Sequence, residues 1–359
     1  MKKLGMAILA AATLIASCTK MDVAYEQETE IGFAPATKNV TKAGAMAPGA
    51  LGTDSDEILG VWAFWDEDGT VESNVSGTTN DIAYNHYPNY STGYLNNAMF
   101  KGFNGTWAGW NGTAHTPYTW PLNGALVFAG YNVPAGQGTD YSVNYTLNDN
   151  TATTDVDETN TMKFTNYVQS TDVNNTFDLC WFERTAASYN YRATGTSVPV
   201  TLKHALSWLT FQIKGEGSAV SSWKITKMTL LNVATKGTGT CTTTAVWDVE
   251  ESPQSNMVIY SDTDGQSITS SFASIGSTNG IVVIPQTPVE LEIEYKYPKP
   301  QSTTYITETA SVSLGTNIAN NIWVGGTKYI YKITVKANEI LIAPKYDDWG
   351  SAESNITVE

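Results

Sequence analysis

Period-two hydrophobicity constrains this chain more than any other feature. Val289, Leu291, Ile293 and Tyr295 alternate with Glu290, Glu292, Glu294 and Lys296. Tyr329, Tyr331, Ile333 and Val335 alternate with Ile330, Lys332, Thr334 and Lys336, and Leu209, Phe211 and Ile213 with Thr210, Gln212 and Lys214. Successive side chains of a strand point to opposite faces, so each run reads as a strand with one buried and one wet face. Ile58 to Trp65 and Ala125 to Val133 are apolar throughout and fit strands inside a sandwich core. Helical periodicity is nearly absent, and Gly, Asn, Asp and Pro separate the runs. The expected fold is all-β, of sandwich architecture.

A length of 359 residues favours two domains over one. Hydrophobic residues at 42% suffice for real cores, and 19 Tyr with 29 Gly suit strands and turns of an extracellular protein. The formal charge of −15 argues against nucleic acid as a partner, because phosphate contacts need a basic face. Lys38 to Ser55 is rich in Ala, Gly, Thr and Pro and reads as a flexible segment after an early strand, Glu30 to Ala34. A second soft stretch, Thr185 to Ser197, places a domain boundary near 190/191. The expected layout is a leader over 1–17, an N-terminal segment over 18–55, one sandwich over 56–190 and another over 191–359.

The leader follows from Met1-Lys2-Lys3, an uncharged apolar run from Leu4 to Ala16, and Ile15-Ala16-Ser17-Cys18. A basic start, a short apolar stretch and a small-residue cut site form a secretory signal. The last four residues resemble a bacterial lipobox, with Ile15 in place of the commoner Leu. Acylation at Cys18 is expected, and nothing later in the chain reads as a transmembrane helix.

Catalytic chemistry is poorly represented. His86, His115 and His204 have no metal-ligand spacing, and no nucleophile elbow, phosphate loop or dinucleotide fingerprint occurs. No enzyme activity, metal or cofactor is expected. His204, within Leu202 to Leu206, reads as a packing or hydrogen-bonding residue. Asp66-Glu67-Asp68-Gly69 and Asp262-Thr263-Asp264-Gly265 read as turns, with calcium as the alternative. Cys180 and Cys241 are either buried thiols or a disulfide. Trp107, Trp110, Tyr118 and Trp120 cluster between Gly and Asn residues, so Trp107, Trp110 and Trp120 are candidate sugar-binding aromatics; the alternative is core packing.

Several segments, taken in order, resemble the fimbrillins of Bacteroidales, the subunits of type V pili. They are Ile31-Gly32-Phe33 with Val40-Thr41-Lys42-Ala43, then Tyr118-Thr119-Trp120-Pro121 with Leu126-Val127-Phe128. Asp178-Leu179, Leu202-Lys203-His204-Ala205-Leu206-Ser207 and Leu209-Thr210-Phe211 follow. Ile284-Pro285-Gln286 and the closing Trp323, Gly326, Tyr329 and Tyr331 complete the set.

The resemblance implies two transthyretin-like β-sandwich domains in tandem after a lipoprotein signal peptide. It implies a protein lipid-anchored to the outer membrane at the cell surface, then cut so that its N-terminal strand leaves. The next pilus subunit would fill the vacated groove with its C-terminal strand. Here the cut would follow Lys42, or Lys38. The best-known relatives are cut after Arg, and the two Arg of this chain, Arg184 and Arg192, come far too late. The expected donor residues are Ile340, Leu341, Ile342, Trp349, Ile356 and Val358; alternatively these finish the second sheet. The expected partners are other pilus subunits and a host or bacterial surface ligand, the role cell adhesion. The alternatives are an anchor or tip accessory protein that does not polymerise, or a surface glycan-binding lipoprotein.

Overall fold

The computed structural model describes residues 29–38, 48–50, 58–66, 94–103, 106–121, 125–133, 141–146, 161–187, 197–252, 254–277, 280–316, 318–337 and 339–348. The fold is all-β. No helix among the described residues is long and apolar enough to cross a membrane.

The first sheet holds β1 (Phe33–Lys38), β2 (Pro48–Ala50), β3 (Ile58–Asp66), β4 (Leu95–Phe103), β5 (Thr106–Trp110), β6 (Ala125–Val133), β9 (Cys180–Ala187) and β10 (Val198–His204). Its order is β10-β9-β6-β3-β4-β5-β1-β2, and β1 pairs with β10 as well. The sheet therefore closes into a ring, with β2 outside it. Closure gives every ring strand two neighbours, although β1 meets β5 at one position only.

The two continuously apolar runs become β3 and β6, antiparallel along their whole length. Their lack of alternation has a direct cause. Leu59, Val61, Leu126 and Phe128 face the interior of the ring. Trp62, Phe64, Ala129 and Tyr131 face a second core, under the sheet β14-β13-β8-β7. That sheet joins β7 (Ser142–Thr146) and β8 (Thr161–Val168) to β13 (Lys236–Cys241) and β14 (Ala245–Val249), drawing on both halves of the chain.

The third core lies between two sheets of the later chain. One is β16-β11-β20-β21, with β17 also on β11; the other is β15-β12-β18-β19. Here β11 is Ser207–Gly215, β12 Lys224–Ala234, β15 Gln254–Ser267, β16 Ala273–Ile275 and β17 Ile281–Val283. β18 is Glu290–Pro298, β19 Tyr305–Ser313, β20 Thr327–Lys336 and β21 Glu339–Asp348. Each alternating run lands here with its apolar set inward: Leu209, Phe211 and Ile213, then Leu291 and Ile293, then Tyr329, Tyr331, Ile333 and Val335.

The expected boundary at 190/191 precedes β10, yet β10 stays with the first sheet. Its Val198, Val200 and Leu202 point into the first core, and the chain passes to the third core only at Ser207. The early strand also sits later than Glu30 to Ala34: Glu30 makes an isolated bridge to Thr119, and the continuous strand begins at Phe33.

Candidate functional site at the strand that closes the first sheet

β1 closes the ring through a few strong features. Ile31 and Phe33 are 0% and 1% exposed, while Ala34 between Phe33 and Pro35 faces out. The Phe33 ring meets Phe100 edge-on at 4.8 Å and Phe128 at 5.1 Å. On one side β1 runs parallel to β10, from Phe33 opposite Val198 to Thr37 opposite Leu202. On the other it pairs with β5 at a single position, Phe33 opposite Trp107. Farther along, β2 pairs with β1 from Ala36 opposite Ala50 to Lys38 opposite Pro48, and the loop after β5 holds residues 29–31. Ile31 N–H donates to the Tyr118 carbonyl at 2.7 Å, and Trp120 N–H donates to the Thr29 carbonyl at 2.9 Å. His115 Nε2 lies 2.6 Å from Glu30 Oε1. Gly109 lets this loop lie flat on β5, because a Cβ there would strike the Thr116 carbonyl and the Tyr118 ring.

The other sequence candidates fall in different places. Cys18, Lys42, Trp349, Ile356 and Val358 lie outside the described residues. Lys38 is the last residue of β1. Ile340, Leu341 and Ile342 lie in β21, an edge strand whose backbone pairs with β20 from Lys336–Glu339 to Thr327–Asp348. Among the aromatics, Trp107 and Trp120 are core residues, 1% and 5% exposed, with Trp120 edge-on to Phe128. Trp110 is half-buried and lines an open cleft on the outside of β4 and β5.

A buried polar cluster was not foreseen as a unit. Among the described residues, Asp178, Cys180 and His204 form the one group whose donor atoms converge as metal ligands do, all within 4.8 Å. Their geometry is that of a shared hydrogen bond. Asp178 Oδ2 lies 2.9 Å and Cys180 Sγ 3.3 Å from the same nitrogen, His204 Nδ1, so an N–H there serves the carboxylate. A Cys-His-Asp relay needs thiol and carboxylate on opposite ring nitrogens. This cluster instead ties the start of β9 to the end of β10. Asn132 extends it, donating to the Asp178 carbonyl at 2.8 Å and accepting from Cys180 N–H at 2.6 Å. The sequence signal was present, because Asp178-Leu179 and His204-Ala205 were already marked, but 24 intervening residues hid their meeting. Cys180 and Cys241 are buried thiols, joined by no disulfide, and burial pushes the Cys241 thiol up.

Two further marked segments prove architectural. Gln286 accepts from Ala234 N–H at 2.8 Å and donates to the Ala234 carbonyl at 3.1 Å, closing a backbone-like pair with its side chain. Trp323 Nε1 donates to the Tyr331 hydroxyl at 2.7 Å, which donates on to the Leu314 carbonyl at 3.1 Å. At Asp262 to Gly265, Asp264 N–H donates to Asp262 Oδ1 and Gly265 takes φ 71°, which is turn chemistry. Lys296 and Lys224 donate to the Thr263 and Asp264 carbonyls, so ammonium groups hold oxygens that a calcium ion would need.

The order of these features along the chain has a counterpart among known proteins. The sequence profile of the fimbrillin-like family matches residues 49–349. The chain belongs to the fimbrillin-like family. The solved structures that this fimbrillin-like chain resembles include a fimbrial protein from Bacteroides vulgatus ATCC 8482, at 16% identity and a TM-score of 0.52, over 89% of this chain and 99% of that one. They also include a candidate cell adhesion protein from Bacteroides uniformis ATCC 8492, at 14% identity and a TM-score of 0.48, over 89% and 98%. At 16% identity the likeness to the Bacteroides vulgatus protein is one of fold. Among curated proteins, none matches this chain in sequence. Membership of the family agrees with a role in fimbriae.

Proposed function

We propose that this fimbrillin-like protein is a structural subunit of a type V pilus, built on two transthyretin-like sandwich domains and exported as a lipoprotein acylated at Cys18. A surface protease cuts after Lys42, or after Lys38, and β1 leaves together with the lipid. The vacated seam between β10 and β5 then takes a strand from the C-terminus of the next subunit. The observation that carries this reading is the burial of Ile31 and Phe33 on a strand bonded on both sides near the start of the chain. A replacement strand would recover the ladder with β10 and refill two apolar sockets, each worth roughly 1.5–3 kcal/mol. Drawing β21 out of its own sheet would forfeit its ladder with β20. The segment after Asp348, with Trp349, Ile356 and Val358, is therefore the less costly donor, and Ile340, Leu341 and Ile342 anchor its base.

Two measurements test this reading. N-terminal sequencing of assembled surface protein is expected to start at Ala43 or Asn39; a start upstream of Lys38 in assembled fibres overturns the cut. Deleting residues 349–359 is expected to leave a folded monomer that forms no fibres, and fibres from that truncation overturn the donor. The lysine at the expected cut, where the best-known relatives carry arginine, supports one alternative. An uncut chain keeps its lipid and serves as a pilus anchor.

A further inference from the structure

The open cleft beside Trp110 has a volume of about 440 Å³, inside the usual range of ligand sites, about 300–1,000 Å³. It lies on the outer surface of β4 and β5, next to the loop that clasps residues 29–31. A local irregularity builds it. Between Val61–Ala98 and Ala63–Leu95 the β3–β4 register slips, so Asn96 and Asn97 together oppose one residue, Trp62. Asn97 takes φ 50°, a left-handed conformation that Asn tolerates. Such bulges re-aim side chains and recur next to functional sites.

The lining alternates ring faces with neutral amides. Trp110, Tyr118 and Tyr94 supply the rings, and Met99, 39% exposed, lies opposite Trp110 in the register. The walls are held in place. Tyr94 donates its hydroxyl to the Thr119 carbonyl at 2.6 Å, and Tyr118 packs on Phe100 with ring centroids 5.3 Å apart. Asn96 accepts from Trp62 Nε1 at 3.0 Å. Asn111 accepts from Thr113 and Ala114 N–H groups at 3.0 and 2.8 Å. Both amide oxygens are thus committed to the protein, which orients each side chain and directs its N–H₂ elsewhere as a donor. Among the described residues no charged side chain lines the cleft; Lys101 lies over the Trp110 ring, 5.2 Å from its centroid.

We propose that this cleft is a binding site for a neutral saccharide. Sugar rings present C–H faces that stack on aromatic rings, and hydroxyls that accept from amide donors. An uncharged lining offers no ion-pair partner to a charged ligand and suits an uncharged, hydroxyl-rich one. The cleft opens on the outer surface of β4 and β5, and one wall, Tyr118, belongs to the loop that also bonds Ile31.

The test uses the full-length chain, purified in detergent, on an array of neutral and anionic oligosaccharides, with the strongest neutral ligand then titrated by calorimetry. At least one neutral oligosaccharide is expected to bind. Trp110→Ala and Met99→Asp are each expected to weaken it at least tenfold, and Trp223→Ala, in the other half of the chain, less than twofold. Thermal midpoints accompany each titration. If Trp110→Ala melts well below the parent, Met99→Asp, at an exposed position, decides. Absence of any neutral ligand, binding of anionic glycans alone, or parent-like affinity in the deciding variant overturns the proposal.

Discussion

At the scale of single residues, His204 carries the clearest stability prediction. Its Nδ1 is the shared partner of the Asp178 carboxylate and the Cys180 thiol, and the carboxylate has 0% side-chain exposure. Removing one member of a buried hydrogen-bonded pair costs the desolvation of the group left behind, about 1–3 kcal/mol. His204→Phe is expected to lower the unfolding free energy by that amount, read from urea titrations. Asp178→Asn with His204→Phe is expected to recover part of it, because the amide can donate as well as accept. An additive pair of losses would show that the two residues do not act as one unit.

At the scale of elements, β1 is the strand that the proposed cut would remove. In the uncut protein Phe33 is a core residue against Phe100 and Phe128. Truncation of such a buried ring costs about 3–5 kcal/mol. Phe33→Ala is expected to destabilise the uncut chain by that much in urea titrations. In protein cut after Lys42 the same substitution is expected to have no effect, because residue 33 has left with the strand. The two continuously apolar runs illustrate a different point about elements. β3 and β6 show no alternation because a core covers each of their faces.

At the scale of the whole molecule, the three cores are interlocked. β10 follows the soft stretch near residue 190 yet completes the first sheet, and β13 with β14 completes the sheet begun by β7 and β8. Separately expressed 1–190 and 191–359 halves would each lack strands that cover an apolar face. Both are expected to bind a hydrophobic dye and to show no cooperative melting, whereas the intact chain melts cooperatively. Two sharp independent transitions from the halves would contradict the interlock.

Alternation alone determined that this chain is all-β, and it identified the buried faces of β11, β18 and β20. The reason is local: a strand's side chains alternate by geometry, whatever surrounds it. The ordered motifs also placed the chain among fimbrillins before any strand was paired. Tertiary structure alone decided which aromatics are core. Trp107, Trp110 and Trp120 look alike in sequence, yet the closure of the ring by β1 buries two of them and leaves the third on a cleft. It also decided the meeting of Asp178 with His204 and the pairing of β8 with β13. Those contacts join residues far apart along the chain, so they depend on strand order and register, which no local pattern of residues encodes.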